Sequence, residues 1–218
     1  VHEDEGEDVD TLINRVQHYL YLKGEYRPEE ELSFAPALCN RIDRNTGGIV
    51  IVAKNAATLR TLNDKIKGRE LRKFYLCLVE GVPRPKEATL THYHRKNEKE
   101  NLAEVFDKPR RDTRTMVTKY RVLQTNGRYS LLEIELLTGR FHQIRAQMAH
   151  IGCPLVGDGK YASNLREKKL GFSYQALYSY KLQFAFREEC MLSYLDGKTF
   201  QVDEVWFGKN GIPDALNE

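Results

Sequence analysis

Apolar residues fall at helical spacing near the start of the chain, where Leu12, Val16, Tyr19 and Leu20 recur through residues 11–22 and predict a helix. Residues 23–37 are polar and contain Pro28 and Pro36, which predicts a loop. The β-branched run over residues 48–53 predicts a buried strand. Asn55 can cap a following helix in which Leu59, Leu62 and Ile66 line one face and Gly68 marks the stop. Residues 74–79 are apolar on both faces, as a central strand must be, and Pro83 and Pro85 end the pattern. Residues 89–112 are polar and charged, with room for short strands at most. A hairpin follows, with strands over 115–124 and 129–137 and Asn126-Gly127 at the turn. Thr138-Gly139 opens a helix running to about Ile151, and strand-like runs return at 176–186 and 199–207. Strands outweigh helices and do not alternate with them, so the predicted class is α+β.

A chain of 218 residues suits one large domain or two small ones. Its net charge of +3 decides little, because a nucleic-acid enzyme needs a local basic surface rather than an extreme total. Cys39, Cys77, Cys153 and Cys190 form no C-x-x-C pair, which signals neither a zinc knuckle nor a redox motif. Four reduced thiols suit a cytoplasmic protein. No apolar run is long enough to span a bilayer, and the acidic start is wrong for a secretory signal. Because the first residue is Val rather than Met, the sequence reads as a piece of a longer chain.

Two clusters of residues carry candidate chemistry. In Arg41-Ile42-Asp43-Arg44-Asn45-Thr46-Gly47-Gly48, one carboxylate sits between two arginines just before the predicted strand. Flanking guanidinium groups favour the ionised form, and an ionised, sheltered carboxylate is a competent nucleophile. The arginines could also meet phosphates or stack on bases. On these residues alone the plainer reading, a loop aspartate held by salt bridges, is favoured.

The second cluster is Thr138-Gly139-Arg140-Phe141-His142-Gln143-Ile144-Arg145. On a helix, Phe141, Ile144, Met148 and Ile151 share an apolar stripe. Arg145 borders that stripe, so it is partly buried and needs an anionic partner. His142 points further round, and a hydrogen-bonded structural histidine is its favoured reading. His142 and His150 are too far apart for ligation from one helix face, so no metal site is expected.

Both clusters resemble motifs of the RluA-type family of RNA pseudouridine synthases. The first is similar to H-R-L-D-x-x-T-S-G followed by a strand and A-K, with Asn40, Ile42 and Gly47 as departures and Ala53-Lys54 in the closing place. The second matches T-G-R-x-H-Q-[IL]-R at every position. Arg72-Lys73-Phe74-Tyr75 resembles the family's K-x-Y segment, although a buried core tyrosine is the better reading of Tyr75 by itself. The segment from Ile151 to Asp158 resembles G-H-P-[IL]-x-G-D with Cys153 in the His place, and Ala176-Leu177-Tyr178-Ser179 resembles A-L-H-S; both read as architecture.

The resemblance covers residues 38–207 and implies a mixed, largely antiparallel sheet with flanking helices and loops. It implies isomerisation of uridine to pseudouridine in RNA with no metal or organic cofactor. Asp43 would be catalytic, Arg145 would pair with it, and Tyr75 would stack on the uracil. Arg41 would fill the space left by a flipped nucleotide, and Arg140 and His142 would serve RNA binding. Large-subunit ribosomal RNA is the expected partner, with transfer RNA as an alternative, no membrane and a monomeric state. Residues 1–37 would be the remnant of an upstream part, with Val1-His2 ending a strand, and residues 38–218 the catalytic domain. Arg110, Arg111 and Arg114, and the group Lys65, Lys67, Arg69, Arg72 and Lys73, are candidate phosphate-tracking clusters or solvated faces in equal measure. The competing classes are a non-catalytic RNA-binding module of the same fold and a carboxylate-dependent hydrolase, which would want a second acid near Asp43.

Overall fold

The computed structural model describes residues 11–30, 33–163, 168–208 and 212–216. The acidic start and the proposed Val1-His2 strand end lie outside them. The described residues form two compact units, each built from separated stretches: those within 1–44, 49–71 and 183–199 make one, and those within 45–48, 72–182 and 200–218 the other.

In the first unit, α1 (Leu12–Leu22) begins where the Thr11 hydroxyl accepts the Asn14 N–H, satisfying a donor that the first turn leaves open. Only Leu20 of its predicted apolar set is buried, while Tyr19 is 54% exposed. A second helix, α2 (Ala56–Lys67), starts as its sequence dictates: the Asn55 side chain accepts the Thr58 N–H at 2.8 Å. Gly68 ends it in right-handed rather than left-handed geometry. Glu70 ties residues 183–199 to this helix, accepting from the Lys65 ammonium and from the Arg187 amide, both at 2.8 Å.

The predicted strand over 48–53 is not continuous. Gly47–Gly48 (β2) and Val52–Ala53 (β3) are separate two-residue strands, and residues 49–51 lie outside both. The reason is partner choice. β3 pairs antiparallel with β1 (Ala37–Leu38), whereas β2 pairs in parallel with Tyr178 and Ser179 of β9 (Leu177–Phe184). Gly48 must be glycine there, since its φ is +118° and a Cβ would stand 2.2 Å from the Ser179 carbonyl oxygen.

The second unit holds most of an eight-stranded sheet. It contains β4 (Leu71–Glu80), β5 (Glu87–Asn97), β6 (Leu102–Phe106), β7 (Arg114–Thr125), β8 (Tyr129–Leu136) and β10 (Thr199–Gln201) in the order β10-β9-β4-β8-β7-β5-β6, with β2 joined to β9. The β4–β8, β8–β7, β7–β5 and β5–β6 pairs are antiparallel and β2–β9 is parallel, so the sheet is mixed and largely antiparallel. Residues 74–79 are buried on both faces, as their unbroken apolar run requires. Phe74, Leu76 and Leu78 meet Tyr129, Leu131, Phe172 and Phe207 in the main apolar cluster, so Tyr75 points to the opposite face of the sheet.

Three expectations need correcting. Residues 89–112 hold most of an eleven-residue strand rather than short ones. Its inner face is built from Ala88, Leu90, His92 and His94, and two histidines in place of aliphatics hide the alternation from a hydropathy reading. The third helix, α3, spans Gln143–His150 and does not open at Thr138, because His142 stands in left-handed geometry (φ 48°) and breaks the helical path. The final strand-like run is regular only over Thr199–Gln201. α3 itself is buried on nearly every side, from Gln143 through Met148, so its polar residues need internal partners.

Candidate active site

The polar residues of the second motif satisfy one another. The Gln143 amide uses all of its bonding capacity: Oε1 accepts from the Thr138 hydroxyl at 2.8 Å and the Arg140 amide at 3.1 Å, while Nε2 donates to the Thr118 hydroxyl at 2.8 Å and the Val117 carbonyl at 3.1 Å. This buried clamp fixes the Thr138–Arg140 loop against β7. Arg140 is exposed, with its Nε donating to the Thr115 carbonyl.

His142 is buried, stacks on Phe141, and sets Nδ1 2.9 Å from the Tyr161 hydroxyl. Burial, with Arg145 nearby, pushes its pKa down to about 3, so the ring is neutral near pH 7. A neutral Nδ1 can accept the Tyr161 proton while the same hydroxyl oxygen accepts the Ala103 amide at 2.8 Å. That is the satisfied structural histidine of the plainer reading.

Arg145 is 5% exposed and has the anionic partner its position demands. Asp158 accepts from Nε and Nη2 in a two-bonded fork, both at 2.7 Å, and is itself buried. Asp158 is the residue the sequence reading missed as a partner. Its signal was present in the glycine-aspartate turn 13 residues on, which read as architecture. Gly157 brings it into place with φ +76°, where a Cβ would lie 2.3 Å from the Tyr174 carbonyl oxygen. The Arg145 guanidinium also lies 5.4 Å from the Tyr161 ring centroid, within cation–π range.

Tyr75 is 5% exposed, opposite Ile134 in the β4–β8 register. Lys73, two residues earlier on β4, is half-buried, and desolvation lowers its pKa. Its ammonium lies 3.9 Å from where a Gly139 Cβ would stand, which puts a cation beside the Thr138–Arg140 loop. Among the basic clusters, Lys65 pairs with Glu70 and Arg72 with Glu135, whereas the Arg111 side chain is 96% exposed.

The first motif is built differently. Within the first unit, Asn40 Oδ1 accepts the Ile51 amide at 2.7 Å and the Cys39 amide donates to the Ile51 carbonyl at 2.8 Å. These bonds close a loop at its base, and Asn40 does this work in the place of the family's histidine. Asp43 is half-buried in the loop, and Arg41 and Arg44 are exposed. The chain then turns through Asn45 (φ 65°) into residues 45–48 of the second unit, where the buried Thr46 hydroxyl accepts from Gln175 at 3.2 Å.

The family model for RNA pseudouridylate synthase matches residues 6–150. The chain belongs to the RNA pseudouridylate synthase family. It is 36% identical over 182 residues to a protein of Chloroflexus aurantiacus described as an uncharacterized RNA pseudouridine synthase, covering 82% of this chain and 53% of that one. It is 30% identical over 178 residues to ribosomal large subunit pseudouridine synthase D of Borreliella burgdorferi, covering 80% and 52%. The chain thus spans about half the length of the curated relatives it matches. In fold it resembles human RNA pseudouridylate synthase domain containing 1, with a TM-score of 0.61, 22% identity, and coverage of 87% of this chain and 90% of that one.

Proposed function

We propose that this chain carries the catalytic part of an RNA pseudouridine synthase that acts on uridines of large-subunit ribosomal RNA in the cytoplasm, as a monomer and with no metal or organic cofactor taking part in the chemical step. Family membership, together with an unbroken match at Thr138–Arg145, carries this reading; the Borreliella relative's name supports the ribosomal target. In the reaction the bond from the ribose C1′ to N1 of uracil breaks, the ring turns, and C1′ bonds to C5. The C5 proton leaves and N1 gains one, so uridine and pseudouridine are isomers. A uridine in folded RNA is reached by flipping it into a pocket.

Asp43 is the essential carboxylate in this proposal. Arg145, held by its fork to Asp158, is the arginine that the motif resemblance assigns to the reaction, and Tyr75 stacks on the uracil. Arg41, exposed beside Asp43, fills the space the nucleotide leaves, while Arg140 offers a phosphate contact at the loop that Gln143 fixes. His142 supports that loop through Tyr161 rather than touching RNA directly. The test is pseudouridine mapping of RNA from cells lacking the gene, treated with the full-length protein or its Asp43→Ala variant. New pseudouridine with the wild type alone is expected. A wild type that modifies no RNA overturns the enzyme reading, and an active Asp43→Ala overturns the site assignment.

A further inference from the structure

Away from the motif residues, three side chains of the second unit converge on one point. His92 lies on β5, and continuing the β5–β6 register past Tyr93 and Phe106 sets Asp107 across from it. His150 closes the last turn of α3. His150 Nε2 lies 2.7 Å and His92 Nε2 3.7 Å from the same Asp107 Oδ1, and the three ligand atoms all fall within 4.8 Å of one another. We infer that His92, Asp107 and His150 form a binding site for a zinc-class divalent transition ion.

The donor set fits that class, since two imidazoles and one carboxylate without thiolate suit zinc, cobalt or nickel rather than calcium or magnesium. Around a tetrahedral zinc the ligand atoms stand roughly 3.4 Å apart, a spacing that the two observed separations bracket. The required movement falls on mobile groups, because the Asp107 side chain is 78% exposed and that of His150 28%. The electronegative C-terminal end of α3 favours a cation at this point. Solvent access leaves a fourth position for water.

The surroundings supply a second observation. A histidine that binds metal through Nε2 carries its proton on Nδ1 and needs an acceptor there. His92 Nδ1 lies 2.9 Å from the amide of Gln147, whose Oε1 is buried with no partner among the described residues. Turning that amide end for end brings its oxygen onto the Nδ1 proton, while the NH2 takes the buried place the oxygen held and gives up its 3.3 Å bond to the Leu90 carbonyl. A bound ion would thus join β5, the end of β6 and the end of α3. It would brace the helix that carries Arg145 at its other end.

The experiment uses the untagged 218-residue chain, freed of metal by chelation and titrated calorimetrically with zinc chloride. Cobalt(II) serves as a spectroscopic probe of coordination. One ion per chain is expected, with affinity falling at least about tenfold in Asp107→Ala and in His150→Ala, both at solvent-accessible positions. Zinc at a concentration that saturates the wild type should raise its melting temperature by roughly 5 °C or more and raise that of either variant by clearly less. Failure to bind zinc overturns the inference. So does binding of equal strength in both variants, which would place the ion elsewhere, for instance on cysteine.

Discussion

Arg145 and Asp43 stand on two stretches built on opposite terms. The α3 region buries its charges: Arg145 and Asp158 form a fork at 2.7 Å with almost no water contact, and Gln143 and His142 are satisfied by neighbours within the same unit. The Asp43 loop is fastened at its base, through Asn40 and Ile51, while Arg41 and Arg44 stand in solvent and Asp43 is half-buried. Buried, paired charges make a rigid mount whose loss is felt as instability. A half-buried carboxylate in a loop contributes less to folding than a buried ion pair does. Under the proposed function, the contrast separates a residue that acts from residues that hold.

The largest expected effect is on activity. Asp43→Asn should reduce pseudouridine formation by about a thousandfold or more while leaving the melting temperature nearly unchanged. A large drop in melting temperature would place Asp43 among the holding residues and break the contrast. Next comes Asp158→Ala, which strands a buried guanidinium and should cost about 3–5 kcal/mol in urea unfolding. A cost near zero would mean that the fork is not a rigid mount.

A third test uses pH. His142 titrates near 3 when folded and near 6.5 when unfolded. As pH falls through that window the unfolded chain takes up a proton that the folded chain refuses, so stability falls with pH by up to about 1.4 kcal/mol per pH unit. His142→Asn should flatten that slope, as read from urea midpoints between pH 6.5 and 4, and an unchanged slope would remove His142 from the buried network. The smallest effect lies in the first unit, where Asn55→Ala removes one cap bond from α2 and should cost about 1 kcal/mol without altering activity at saturating RNA.

Particular residues show how much of this was legible beforehand. The Asn55 cap, the central strand over 74–79 and the Asn126-Gly127 hairpin rest on local signals, and all three stand in the structure. β5 was hidden, because His92 and His94 occupy its inner face and a hydropathy reading counts them as polar. The 48–53 run divided because its two ends pair with different strands, a choice that no local pattern records. The burial of Arg145 and its need for an anion were legible from helical spacing, but the identity of Asp158 was not.

By itself, then, the sequence determined the class of fold, the helix caps, the central strand and the two motifs that mark the family. These depend on local propensity, burial periodicity and residue identity, which the chain carries in order. Tertiary structure alone decided that Arg145 forks to Asp158, that His142 turns to Tyr161, and that His92, Asp107 and His150 meet. Asp158 and Tyr161 reach their partners from the segment that follows α3, and the other three side chains come from β5, the residue after β6 and the last turn of α3. No spacing along the chain encodes which side chains then share a point in space.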